Sequence, residues 1–399
     1  MSTHPLQPVG IKAQAVNFQA LPPLSLYIHI PWCVRKCPYC DFNSHAARGA
    51  IPEKQYVAAL VRDLEMALPL IWGRKVYTVF FGGGTPSLLS GEVLAEILRQ
   101  VRMLLPLDIN AEITLEANPG TVEADKFARF REAGVNRLSL GIQSFNDTHL
   151  QALGRIHSSA EARSAIGIAQ QHFDNINLDL MYALPQQTLE EALQDVQTAL
   201  QYRPQHLSCY HLTLEPNTLF AHQPPPLPDD DASSDMQLAI EALLATHGYQ
   251  HYETSAFAQP GRRSRHNLNY WQFGDYLGIG AGAHSKLSFH DKVLRQARYK
   301  QPQAYMEAVA RGEPVQDEHE VAHAELAFEF MMNALRLNEG FDSTLFQERT
   351  SLPLLSIRRE LDAAEKRGLL FQDHKKIAPT EAGRRFLNDL LQLFLHDKA

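Results

Sequence analysis

Three of the chain's four cysteines fall in one short loop directly after an apolar strand. Leu24, Leu26, Ile28 and Ile30 alternate with Ser25, Tyr27 and His29, the period of two expected of a β-strand. Pro31 donates no ladder hydrogen bond and can end the strand. Cys33, Cys37 and Cys40 come next. A disulfide framework would leave one sulfur over, and residues 1–23 do not read as a signal peptide, having no basic start before a long apolar stretch. A structural zinc site wants four ligands, so His29 or His45 would have to complete it. An iron–sulfur cubane takes one thiolate per iron, and three cysteines leave one iron open to a non-protein ligand. Thiols that hold no metal are the remaining reading.

The spacing C-x3-C-x2-C, with Tyr39 just before the last cysteine, fits the radical S-adenosylmethionine (SAM) pattern and favours the cluster. The downstream sequence suits it. Helical periodicity over 52–70 leads to a strand at 76–81 that empties into Gly82-Gly83-Gly84-Thr85-Pro86. Helices are expected over 91–104, 121–133, 147–153, 159–171 and 188–202. Strands are expected over 111–116, 137–141, 175–181 and 206–214. Six strands alternating with helices imply parallel β/α units, and their polar residues gather at strand ends. An incomplete six-unit barrel, with its site at the carboxyl ends of the strands, is the first expectation; an open doubly wound sheet is the alternative.

Residues 216–231 are proline-rich and acidic and read as a loop before a helix at 232–247. An irregular region comes after it, with Arg262, Arg263, Arg265 and His266-Asn267-Leu268-Asn269-Tyr270-Trp271, then a glycine-rich run up to His284. Near Glu313 the character changes to helices with a small hairpin, a winged-helix-like module. The domains expected are a 1–23 arm, loosely ordered, a 24–312 core with its extension, and a 313–399 C-terminal domain. That module's basic residues are mixed with acids, so it reads as a packing or partner domain rather than a DNA reader. The net charge of −8 agrees in arguing against a general nucleic-acid binder. No apolar run approaches a membrane span. Few cysteines and an oxidisable cluster point to the reducing cytoplasm.

Glycines 83 and 84 let backbone approach a ligand closely. Glu116 and Asp179 end strands as acceptors for an amine or ribose hydroxyls, Gln143 could reach the same cavity, and the Arg155 fork suits a carboxylate. Each of these could instead be a strand-end residue capping a neighbouring helix. Cys209, inside an apolar strand, reads as a buried, inert thiol.

Taken together, YIHIPWCVRKCPYCDFNSH, GGGTPS, EANPGT, GIQSF, LGRIHS, NLDLMYALP and HNLNYW resemble the oxygen-independent coproporphyrinogen III oxidase family, and within it the HemW-type heme chaperones. The resemblance runs from about residue 24 to the C-terminus. It implies Cys33, Cys37 and Cys40 on a 4Fe–4S cluster, with Tyr27, Tyr39, Gly83, Gly84, Thr85, Glu116, Gln143, Arg155 and Asp179 contacting SAM. It implies a radical-SAM partial barrel and the family's C-terminal domain. The oxidases carry a further cysteine two positions after the last cluster ligand, where this chain has Phe42, and a longer N-terminal arm. Both departures turn the expectation from oxidative decarboxylation to heme binding and transfer to an acceptor apoprotein, one that could be met transiently at a membrane. His266, preceded by arginines for the propionates and followed by Tyr270 and Trp271 for the macrocycle, is the expected iron ligand. A packed, hydrogen-bonded HNLNYW loop is the other reading of the same residues.

Overall fold

The computed structural model describes residues 16–121 and 124–395. The sheet grows from β1 (Leu24–Ile30), which pairs in parallel with β2 (Val76–Gly83). Next come β3 (Leu107–Ala117), β4 (Arg137–Gln143), β5 (Ile176–Tyr182) and β6 (His206–His211), each parallel to the one before. Helices Glu53–Ala67, Gly91–Leu104, Ala124–Ala133, Ser159–His172 and Leu189–Gln201 connect them, as the periodicity leads one to expect. Ser158 and Thr188 each cap a helix reciprocally with a glutamate three residues on, which fixes where those helices begin.

Both faces of β1 are buried, but they meet different surroundings. Leu26, Ile28 and Ile30 share the main core with Leu60, Leu64 and Leu94 of the helices. On the other face Ser25 accepts hydrogen bonds from Thr78 and Asn269, and Tyr27 meets His29. The alternation in the sequence therefore separates a helix-covered face from a polar barrel interior, not core from solvent.

Residues 250–300 depart from expectation. A hairpin, β7 (Gln250–Glu253) and β8 (Ala256–Ala258), adds antiparallel to β6. Arg265–Trp271 is a helix, N-capped by Ser264. Then β9 (Asp275–Ile279) pairs in parallel with β1, a seventh strand in the parallel run. β10 (His284–Ser288), β11 (Val293–Arg298) and β12 (Val315–Glu320) extend the sheet antiparallel beyond it. Glycines concealed β9 in the sequence. Gly280 has φ +101°, and a Cβ there would lie 2.5 Å from the carbonyl oxygen of His29. The glycines mark a close approach of backbones rather than a loop.

Two buried carboxylates join this extension to the barrel. Asp63, on the first connecting helix, is 3.1 Å from Arg298 and accepts from Tyr305 at 2.9 Å and from Gly280 N–H at 3.3 Å. Asp275 meets Lys286 at 2.9 Å and Arg74 at 2.8 Å, and accepts from Ser288 N–H and Oγ–H. Burial alone would raise its pKa; the two cations and the Ser288 N–H bring it below the usual carboxylate value.

A second core gathers Leu326, Phe330, Phe346, Leu361, Leu370 and Ile377 of the C-terminal module with Phe273, Val293 and Phe18. The module's hairpin, Leu370–Gln372 with Lys376–Pro379, gains a third strand at Phe341–Asp342, giving the winged-helix-like shape expected. β12 lies past the change of character read near Glu313, yet it pairs with the large sheet. Of the expected 1–23 arm, residues 1–15 lie outside the described residues. Where the arm is described it is docked: Phe18 is buried and its N–H donates to His290 O at 2.9 Å.

Replacing Asp275 with alanine leaves the Lys286 ammonium buried and uncompensated. The variant should lose about 3–5 kcal/mol of stability, read from urea unfolding. A loss within about 0.5 kcal/mol would show that Lys286 finds other partners.

Candidate functional site

At the carboxyl end of β1 the chain forms a tight loop. Trp32–Cys33 pairs in parallel with His45–Ala46, so the cysteine loop closes on itself. Cys33, Cys37 and Cys40 are unpaired and half-buried. Burial raises the pKa of Cys33 and Cys40, while hydroxyls oppose it: Thr85 and Ser44 at Cys33, Ser44 at Cys40. Arg155 donates to Cys37 Sγ at 3.6 Å and to Gly141 O at 2.8 Å, tying the loop to the end of β4. Burial works against this guanidinium's charge, but the neighbouring Tyr39 and Cys37 hold its pKa above the ordinary value. A single zinc needs its donors converged on one point. A cubane instead needs thiolates spread over separate irons, with hydrogen-bond donors at the sulfurs, and the loop fits that group. Cys209 stands apart, buried in β6, its pKa pushed up to about 12 by burial and then Asp179.

The glycine-rich turn after β2 packs against this loop. Gly84 N–H donates to Ile30 O at 2.7 Å and Thr85 N–H to Trp32 O at 2.7 Å. A Cβ on Gly84 would lie 2.5 Å from Trp32 O, so a larger residue there strikes the cysteine loop itself rather than only a ligand. Gly83 N–H points the other way, to Glu116 Oε2 at 3.3 Å.

Glu116 and Asp179 sit in the interior on β3 and β5. Burial, then the neighbouring Asp179, pushes Glu116 up to about 8, against the Gly83 N–H and Arg137. Asp179 accepts from Ser139 Oγ at 2.9 Å and Asn177 Nδ2 at 2.8 Å, and burial raises it too. Two crowded acids whose charged forms burial disfavours are suited to a cationic ligand, which would stabilise those charges on binding. SAM carries an ammonium and a sulfonium, so these residues fit it. Gln143 ends β4 with φ 67° after a register shift, and its Nε2 would lie 3.0 Å from a Cβ on Gly141. Tyr39 packs near Phe220, with ring centroids 6.4 Å apart.

A cavity of about 640 Å³ opens beside this interior. Tyr27, Gly83 and Glu116 line its inner end; the outer wall comes from the cysteine loop and from β9–β11. Sequence reasoning missed Asn43, Tyr276, His284 and Lys300 of that wall, and weighed His29 and His45 only as ligands to a zinc. His29 carried a second signal, standing at an inward position of β1 beside Tyr27. Asn43 binds the two parts of the wall together, its Nδ2 donating to Ala281 O at 2.9 Å and Lys300 O at 2.8 Å.

The structure corrects the reading of His266. It is 1% exposed, stacked on Phe80 at 4.9 Å, with Nδ1 2.7 Å from Thr78 Oγ1 and Nε2 2.9 Å from the Tyr270 hydroxyl. Thr78 donates to Ser25, so Nδ1–H donates to Thr78 and Nε2 accepts from Tyr270. Burial lowers its pKa to about 3, and neither nitrogen faces the cavity. His266 instead positions Tyr270, which does line it. The arginines turn away as well. Arg263 pairs with Glu339 and Arg265 donates to Asn110 O, at the opposite end of the strands.

Alanine at Cys33, Cys37 or Cys40 should abolish the brown chromophore and about four irons per chain after anaerobic reconstitution, while Cys209→Ala keeps both. Retention of four irons in a triple-alanine variant would remove the loop as the cluster site. For Glu116, the folded chain holds a proton that the unfolded chain releases near its ordinary value of 4.5. Ligand-free protein should therefore lose stability as pH rises from about 4.5 to about 8, at up to about 1.4 kcal/mol per unit. Glu116→Gln should reduce that slope in urea unfolding, leaving the smaller part due to Asp179; an unchanged slope would place the proton elsewhere.

Comparison with known proteins agrees with this architecture. The Radical SAM superfamily matches residues 27–199 and the HemN C-terminal domain residues 321–386. The fold is similar to that of coproporphyrinogen III oxidase (HemN) from Escherichia coli, with TM-score 0.80 and 25% identity over 94% of this chain and 90% of that one. The chain is 51% identical to heme chaperone HemW of Escherichia coli (94% of this chain, 99% of that one). It is 49% identical to heme chaperone HemW of Haemophilus influenzae (95% and 99%). With about half of its residues identical along nearly the whole length of those relatives, this chain belongs to the HemW family of radical SAM proteins.

Proposed function

We propose that the protein binds heme and passes it to an acceptor protein, carrying a 4Fe–4S cluster on Cys33, Cys37 and Cys40 with SAM beside it. Membership of the radical SAM superfamily implies the cluster and SAM. Bound in the loop, the cluster supplies a one-electron reductant and an open iron. This chain's residues do the rest. Gly83 and Gly84 bring backbone to the ligand, Glu116 and Asp179 meet its positive charge, and Arg155 steadies Cys37. Tyr27, Tyr39, Thr85 and Gln143 complete the proposed SAM shell.

One observation carries the heme reading: the cavity of about 640 Å³ that joins this interior to an outer wall of aromatic and cationic side chains. Tyr270, Trp271 and Tyr276 offer faces to a macrocycle, and Lys300 offers charge to a carboxylate. Its volume suits a small-molecule site, roughly 300–1,000 Å³. The relatives named heme chaperones support the same reading. Phe42, 63% exposed, lines the cavity with a phenyl ring two residues beyond Cys40 and gives no thiol there for oxidase chemistry. No helix among the described residues is long and apolar enough to cross a membrane. A cytoplasmic setting, with an acceptor met in solution or at a membrane surface, is part of the proposal.

Anaerobically reconstituted protein should take up heme near one per chain by absorbance titration and leave coproporphyrinogen III unconverted. Rapid conversion by the same preparation would overturn the chaperone reading in favour of an oxidase.

A further inference from the structure

We propose that His284 is the protein ligand to the heme iron, with Lys300 and the Trp271 indole N–H holding a propionate beside it. The inference rests on heme as the cargo, as proposed above. Heme iron in proteins is commonly held by an imidazole nitrogen, and an imidazole whose nitrogens already serve the fold cannot supply one without breaking those bonds.

Three histidines line the cavity. His29 is 5% exposed, with Nε2 2.8 Å from Asn43 O and Nδ1 3.1 Å from the Tyr27 hydroxyl. His45 directs Nε2 at Lys300 O, 3.3 Å away. Alone of the three, His284 makes no ring hydrogen bond among the described residues, and its ring is exposed to the cavity. Its backbone is fixed nonetheless. It opens β10 opposite Ala297, straight after a turn closed by Ala283 N–H to Gly280 O at 3.0 Å. A ligand on a rigid strand start, with its ring unengaged, is pre-organised for a metal brought by the cargo. Burial, then the nearby Lys300 and Arg295, lowers its pKa and favours the neutral ring that binds iron.

The propionate partners are likewise the groups with nothing else to hold. Arg295 is spent on Glu329 and Tyr276, and Lys36 donates to Phe42 O. Among the described residues Lys300 has no partner for its ammonium, although Asn43 and His45 clamp its carbonyl. Trp271 lines the same cavity, and its Nε1 is buried with no acceptor among the described residues, a donor with its hydrogen bond still to make.

The test uses the full chain with its cluster reconstituted, titrated with hemin and followed in the Soret region. His284→Ala should shift the band and weaken binding about tenfold or more, with cluster absorbance intact. Added imidazole should restore the wild-type band, an effect that loss of a merely structural side chain does not show. Lys300→Ala should weaken binding without moving the band. Wild-type protein that binds hemin while His284→Ala keeps an unmoved band overturns the assignment alone. So does a shift confined to His45→Ala. Wild-type protein that binds no hemin overturns the cargo reading itself.

Discussion

The upper end of the sheet depends on how closely other backbones can approach the end of β1. Gly84 passes on one side and Gly280 on the other, and a Cβ on either would lie 2.5 Å from a carbonyl of residues 29–32. This crowding lets the turn after β2 donate directly to Ile30 and Trp32. It also brings β9 into register with β1. The cysteine loop leaves the strand between these two contacts, so its position is set by main-chain packing before any side chain acts. A methyl group at Gly84 or Gly280 would move the thiols.

Charge placement divides the molecule by role. Asp63 and Asp275 are buried with cations and numerous donors, and they hold the sheet extension in place. Glu116 and Asp179 are half-buried and, among the described residues, pair with no cation. Arg137, 2% exposed with its Nε unpartnered, acts on both only at a distance. The first pair of acids is a structural device. The second is energetically incomplete, as expected of groups that await a ligand.

The β/α series was legible because helical and strand periods stay clean through six units. Its inward residues were legible because polar side chains interrupt otherwise apolar strands. The 250–300 region was not legible, since glycines required by close approach resemble those of a loop. His266 misled for a different reason. In the helix Arg265–Trp271, positions four apart share a face, so His266 and Tyr270 turn inward together while Arg265 turns away. Composition suggested a heme ligand; helical geometry dispersed its parts. His284 gave no signal, because its value lies in having no partner, which only coordinates reveal.

Asn43 also bears on when the site comes into being. Its side chain belongs to the loop near the start of the chain, but both its acceptors, Ala281 and Lys300, are made more than two hundred residues later. A nascent chain emerging from the ribosome can assemble β1 and β2 early. It cannot close the cysteine loop against its final wall until most of the protein has been synthesised. Maturation of this centre is thus tied to the last third of translation, and a truncated product would carry all three thiols without the surface that holds their loop in place.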